Sequence, residues 1–295
     1  MTPEELARLS LIASIEGGSE FWAREVKGSS AYTVVESLKS GFYLGGKHSA
    51  DKITEQIRKL NLDQLQQELL ASHCAFVTPE SEDWPLQIND LLAPPFGLIC
   101  RGETTILKSE SISVVGSRNP TSYGVRIANE FASGFADRDW TVVSGGAYGI
   151  DTAAHKGALA AEGGTIVVLG SGVNQIYPAG NERLFREIEE TGLLVSEVLP
   201  SVHALPVRFL IRNRIIAALS RGTLVIEAAY RSGSLRTARE AAQILRIVMA
   251  TPGSISSPAS EGCHRLIANR EAELVSSVSD VMELVLPLDD ARMPI

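Results

Sequence analysis

Cysteine is scarce in this 295-residue chain, and its three cysteines, Cys74, Cys100 and Cys263, are odd in number and lack paired spacing. That pattern excludes a disulfide framework and a cysteine-based zinc site. Long hydrophobic runs are missing as well: none approaches the roughly 20 apolar residues that a membrane span needs. The opening Met-Thr-Pro-Glu-Glu is acidic and leads into Leu6, Leu9, Ile12 and Ile15 at helical spacing, which reads as an amphipathic helix and not as a secretory leader. The expected compartment is the cytoplasm. Positive charge is also short, with 27 Lys and Arg against 35 Asp and Glu and a net charge of -8. Such a total weighs against a nucleic acid partner unless the charge is unevenly distributed.

It is unevenly distributed. Residues 201–250 carry eight basic side chains, all arginine, against two glutamates. Three of the arginines crowd around one aromatic in Arg208-Phe-Leu-Ile-Arg-Asn-Arg-Ile-Ile. Guanidinium groups pair with phosphate oxygens in a bidentate fork, and a flat ring offers a base a face to stack on. A solvated charged face with carboxylate partners from elsewhere would have the same composition, so this segment alone leaves both readings open.

Up to about residue 73 the apolar residues keep helical spacing, broken by Gly17-Gly18, Gly28-Ser-Ser and Gly41 to Gly46, which predicts a small all-helical domain over 1–73. Pro79, Pro85, Pro94 and Pro95 then exclude long helices from a connector. From Ser111 onward six short runs rich in β-branched residues alternate with helix-compatible stretches. The runs are Ile112-Ser-Val-Val, Thr141-Val-Val, Thr165-Ile-Val-Val-Leu, Leu193-Leu-Val, Thr223-Leu-Val-Ile and Ile247-Val-Met-Ala. This alternation predicts an α/β doubly wound, mostly parallel sheet over 74–287, followed by a short tail at 288–295. Ligands on such sheets bind where the strands end, at the topological switch point.

Four strand-end loops share small residues and hydroxyls: Gly116-Ser-Arg-Asn-Pro, Ser144-Gly-Gly-Ala-Tyr-Gly-Ile-Asp, Gly170-Ser-Gly-Val-Asn and Arg231-Ser-Gly-Ser-Leu-Arg-Thr. Glycine lets backbone amides approach an anion, and helix N-termini add unpaired N–H donors. One such loop is ordinary for the fold class; four along one edge, two of them with arginine, point to phosphate recognition. Familiar catalytic patterns are absent. Gly41-Phe-Tyr-Leu-Gly-Gly-Lys47-His48 has the spacing of a P-loop, but histidine stands where magnesium needs a hydroxyl, and no strand precedes it. The glycine loops lack the dinucleotide fingerprint, so no NAD is expected. Asp151 and His155 share a helical face but read more simply as a cap and a structural histidine. Trp84 and Trp140 read as packing residues.

Taken in order, VVGSRNPTSYG (114–124), SGGAYGIDTAAHKGAL (144–159), LGSGVNQIYPAGNERLFREI (169–188), SEVLP (196–200), RFLIRNRIIAALS (208–220), VIEAAYRSGSLRTAREA (225–241) and TPGSISSPASEGCHRLI (251–267) resemble the DNA-processing protein family DprA, also called Smf. The resemblance covers about 75–270, and seven motifs in order make it specific. The helical front resembles that family's N-terminal domain, of a SAM or helix-hairpin-helix kind, with little motif content.

The resemblance implies an extended Rossmann-like domain that binds and protects single-stranded DNA and helps load the RecA recombinase in natural transformation. It implies a homodimer, with no cofactor, no metal and no catalytic residues. Carried over residue by residue, the implied DNA-binding set is Gly116, Ser117, Arg118, Ser144, Gly145, Gly146, Arg208, Phe209, Arg212, Asn213, Arg214, Gly233, Ser234 and Thr237. Because alternate residues of a helix cannot face one groove squarely, Arg212 is the better candidate for DNA than Arg214. Tyr148 stands where the family often has arginine. The tail leaves no room for the winged-helix-like domain of some members. The competing reading is a nucleotide-processing enzyme of phosphoribohydrolase type using Glu227 at a strand end; the Pro-Gly-Gly-x-Gly-Thr run of such enzymes is missing here. Ile215, Ile216 and Leu219 are open to a dimer face or to the core.

Overall fold

The computed structural model describes residues 1–41 and 47–286, so the lysine-bearing glycine run at 41–48 and the tail at 288–295 lie largely or wholly outside the described residues. Five helices open the chain: α1 (Pro3–Ser14), α2 (Glu20–Gly28), α3 (Ala31–Ser40), α4 (Lys47–Lys59) and α5 (Leu62–Ala71). Side chains set several of their starts. Thr2 and Glu5 cap α1 reciprocally, and Ser19, Ser30 and Asn61 accept from the first turns of α2, α3 and α5. Leu11, Ile12, Trp22, Val34, Leu38 and Ile57 then pack into a core of their own.

These helices also pack against the rest of the chain. Leu9 and Leu69 are buried among Ile99, Val167 and Phe185, and the Arg8 guanidinium pairs with Glu80 at 2.7 Å. Two short strands, β1 (Ala75–Val77) and β2 (Leu98–Gly102), come from the proline-bearing connector. The sequence pattern misses them because the prolines around them mask any alternation. The expectation of no long helix holds there, since the helical pieces between Val77 and Ser111 are the 3₁₀ turns Leu86–Asp90 and Thr104–Lys108.

The six β-branched runs form β3 (Ser111–Gly116), β4 (Thr141–Ser144), β5 (Thr165–Val168), β6 (Leu193–Ser196), β7 (Gly222–Ile226) and β8 (Ile247–Ala250), and β9 (Glu273–Leu274) closes the edge. Between them lie α6 (Ser122–Ala136), α7 (Ile150–Ala160), α8 (Glu182–Thr191), α9 (Pro206–Leu219), α10 (Ser234–Gln243), α11 (Glu261–Ala268) and α12 (Val278–Val285). The nine strands run in the order β1-β2-β6-β5-β4-β3-β7-β8-β9. All neighbours from β6 to β9 are parallel, while β1 and β2 join antiparallel.

Strand alternation divides the core into two layers. Ile112 and Val114 of β3 pack with Phe131 and Phe135 of α6 and Ala154 of α7, while Val115 packs with Ile215 and Ile216 of α9 and Ala238 of α10. Ile215, Ile216 and Leu219 are thus core residues, each at most 2% exposed. After β6 the chain crosses back through α9 to lay β7 on the other side of β3, so the loops leaving β3 and β7 diverge to opposite faces. The crevice between them is the switch point of the sheet.

Candidate nucleic-acid interface

The crevice is built from backbone outward. Gly116 ends β3 where a Cβ would come within 1.9 Å of the Ile226 carbonyl oxygen, so only glycine lets the two strand ends lie this close. The Ser117 amide donates to the Glu227 carbonyl at 2.7 Å, and the Ile150 amide donates to the Ser117 carbonyl at 3.0 Å. These bonds tie the loops after β3, β4 and β7 into one floor. A cavity of about 420 Å³ opens above it. Gly116, Ser117, Arg118 and Asn119 line one wall; Ala147 and Asp151 line a second, and Phe209, Leu210, Arg212, Asn213 and Ile216 of α9 a third. Arg231, Ser232, Gly233, Ser234 and Thr237 complete it from the start of α10.

Two helices present their N-termini here without side-chain caps. α7 follows Gly149 and α10 follows Gly233, and neither glycine has a side chain to cap its helix, although the Ser232 hydroxyl accepts from the Ser234 amide at 3.3 Å. By contrast, the Thr121 hydroxyl caps α6 by accepting from the Gly124 amide at 3.2 Å. The first-turn amides are largely taken within the chain, Ile150 by the Ser117 carbonyl, Thr152 by Ala147, Leu235 by Ser232 and Arg236 by Gly233, so the two helix starts offer an anion the positive end of the dipole and not a row of open donors.

Three arginines reach the cavity in different states. Arg118 and Arg231 are exposed and form no hydrogen bond or ion pair with any described residue. Arg212 is buried, and its Nη1 donates to the Val168 carbonyl at 2.8 Å. Burial pushes its pKa down to about 10, with Asp151 opposing and Arg118 adding, so it stays charged at neutral pH. Asp151 accepts from the Ala147 amide at 3.2 Å, and burial raises its carboxyl pKa while Arg212 pulls it back. Phe209 lies within reach of Arg212, whose guanidinium carbon is 5.9 Å from the ring centroid.

Of the residues expected from sequence, Gly116, Ser117, Arg118, Phe209, Arg212, Asn213, Gly233, Ser234 and Thr237 come together around this cavity. The others do not. Ser144 is fully buried, and its hydroxyl donates to the Val114 carbonyl at 2.6 Å, stitching two strands. Gly145 and Gly146 lie beneath the surface: a Cβ on Gly145 would sit 1.9 Å from the Arg212 Nη1, and one on Gly146 would meet Phe185. They make room and do not line the cavity. Arg208 turns to the helical front, where Glu16 takes its Nε at 3.0 Å and its Nη2 as well. Arg214 is buried against Glu197, two residues along the helix from Arg212 and on another side. Burial raises the Glu197 pKa and Arg214 counters it.

The cavity also holds residues outside the expected set. Arg231 belongs to the fourth strand-end loop, where glycine and serines carry the pattern, and Asp151 reads from sequence only as a cap. Asn119 carries no signal of its own. Asp151 and His155 form no pair, because the Thr165 hydroxyl takes His155 Nδ1 at 2.7 Å, and burial pushes the imidazole down to about 3. Glu227 is spent on α6: it accepts from the Thr121 amide at 2.8 Å and from the Thr121 hydroxyl at 2.5 Å. It does not line the cavity, which removes the geometric basis for a catalytic carboxylate at that strand end. Trp84 and Trp140 are buried packing residues. The three cysteines are free, and burial pushes the Cys74 and Cys263 thiols up to about 11. Among the described residues no cluster is placed to hold a metal ion, and no helix is long and apolar enough to cross a membrane.

A doubly wound α/β sheet with an arginine-lined cavity at its switch point defines a Rossmann-like protein. Residues 75–286 match the family described as DNA recombination-mediator protein A, and the chain belongs to that family. It is 39% identical over 280 residues to Protein Smf of Escherichia coli, covering 90% of this chain and 74% of that protein. It is 41% identical over 199 residues to the DNA processing protein DprA of Streptococcus pneumoniae, covering 68% and 70% of the two chains. A Mycobacterium tuberculosis relative, 40% identical over 222 residues and 71% of this chain, is longer, and the match spans 57% of its length. Among solved structures, DprA from S. pneumoniae superposes with a TM-score of 0.84 at 31% identity over 97% of this chain and 99% of that one. DNA processing protein A from Helicobacter pylori, whose structure describes a single-stranded DNA binding mode, gives 0.66 at 29% identity over 74% and 98%.

Proposed function

We propose that this chain is a non-enzymatic recombination mediator that binds and protects single-stranded DNA and helps load RecA during natural transformation, working in the cytoplasm as a homodimer. One observation carries the DNA reading: Arg118, Arg212 and Arg231 converge with two uncapped helix starts on one cavity at the switch point. The single-stranded DNA binding mode of the H. pylori relative supports it. Arg118 and Arg231 carry no internal partner that a phosphate would have to displace. Arg212 is already desolvated and held, so its pairing costs little ordering. The apolar wall of Phe209, Leu210 and Ile216 suits unpaired bases. Sequence preference should be slight, since phosphate contacts position the strand without reading it.

Fluorescence anisotropy with single- and double-stranded oligonucleotides across a salt series tests this. Single strands should bind tighter, with log affinity falling linearly in log salt by roughly 0.7 per phosphate neutralised. Arg118→Ala should weaken binding and flatten that slope by about one phosphate's worth. An Arg118→Ala protein that binds as the parent does would remove the cavity from the binding site. The partner proteins are checked separately, RecA by its ATPase on coated single strands with and without this protein, and self-association by sedimentation.

A further inference from the structure

Tyr177 and Tyr148 each leave half of the side chain exposed beside the cavity, 50% in both cases. Isolated exposed aromatics are ordinary, but these two are held in place. Phe209 rests on Gly170, where a Cβ would lie 2.7 Å from its ring, and Arg212 flanks it. Its remaining side meets Tyr177, at 5.2 Å between centroids and 49° between planes. Phe209 lines the cavity, and Tyr177 continues the aromatic surface outward from it with half of its side chain exposed. Tyr148 directly follows Ala147 of the cavity wall, and its hydroxyl accepts from the Gly180 amide at 3.1 Å. A Cβ on Gly180 would come within 2.5 Å of that hydroxyl, so glycine is what permits the contact. The loop that carries Tyr177 is therefore pinned to Tyr148, and both rings are ordered before any ligand arrives.

Charge limits where a strand could run. Arg183, in the first turn of α8, is exposed and has no ion pair with any described residue, while its neighbour Glu182 is paired with Arg186 and Glu187 and Glu190 stand farther along the same helix.

We propose that Tyr177 and Tyr148 form a ledge on which unpaired bases of any identity stack as the strand leaves the cavity over the loop between β5 and α8. This rests on the single-stranded reading above and adds an exit path to it. The ledge favours single strands because paired bases keep their faces inside the duplex, while every unpaired base has a free π-face.

Two ligands separate the ledge from the cavity: dodecathymidylate and a dodecamer of abasic sites, which retains the phosphates and lacks bases. Tyr177→Ala should weaken dodecathymidylate by roughly 5- to 100-fold and leave the abasic strand bound as by the parent. Tyr148→Ala should act in the same direction, and Tyr177→Phe should retain parental affinity for both. Tyr177→Ala binding of dodecathymidylate at parental strength, or an equal loss on both ligands, overturns the ledge. Parent protein that binds neither ligand overturns the single-stranded reading, and the ledge with it.

Discussion

His155 shows how much one buried residue can decide. Its ring is fully enclosed, Nδ1 is bonded to Thr165, and Nε2 has no partner among the described residues. Burial holds its folded pKa at about 3, below the unfolded value near 6.5, so the unfolded chain takes up the proton first. The stability present above pH 6.5 is therefore lost as pH falls toward 3, by about 2 kcal/mol at pH 5. Denaturant titrations at pH 7 and pH 5 should show the parent losing about that much more than His155→Gln. Equal losses in the two proteins would mean that His155 is not the group that titrates. The same scale separates Arg212 from Arg214. Two residues apart on α9, they point to different sides, one to a cavity and the other to the buried Glu197.

Elements, more than residues, build the anion-receptive edge. Strand-end loops of small residues let α7 and α10 start beside the cavity, and the return of the chain through α9 to lay β7 beside β3 brings those starts together. Gly233 is a sensitive point, since a side chain there meets nothing within 4 Å. Gly233→Asp should leave stability about unchanged, since the backbone there has ordinary helical dihedrals (φ -63°, ψ -25°). It should also weaken single-stranded DNA binding by roughly 3- to 10-fold, because its carboxylate repels phosphate at the positive end of the helix. Thermal melting and anisotropy on the same protein check both signs; weaker binding with lower stability would point to a misfolded loop instead. At this scale sequence reading performs well where periodicity is strong. The six β-branched runs became β3 to β8, and the four stretches between them became α6, α7, α8 and α10. It fails at β1 and β2, where three to five residues between prolines carry too little pattern.

In the whole molecule the helical front and the sheet share packing. Leu9 is fully buried among residues of β2, β5 and α8, and Glu16 holds Arg208 of α9. Leu9→Ala should therefore cost about 2–5 kcal/mol and raise hydrogen exchange in β2 and β5 as well as in α1. Unchanged protection in those strands would show that the front folds on its own. The net charge of -8 belongs to this scale too: it bears on solubility and long-range attraction, while the proposed DNA binding rests on the few arginines at one edge.

By itself the sequence determined the alternation of strands and helices, the glycine-rich strand ends and the family, because all three are local patterns of residue type and spacing. It also placed Arg118, Arg212 and Phe209 among the candidates. Only the tertiary structure decided which of the candidates share a cavity. Ser144 is spent within the sheet, Gly145 makes room for a guanidinium, Arg208 and Arg214 are neutralised by Glu16 and Glu197, and Glu227 is taken up by Thr121 at the start of a helix. The carboxylates that neutralise the two arginines lie 192 and 17 residues away in sequence. A charge is free or spent according to what the fold brings beside it, and no local pattern records that.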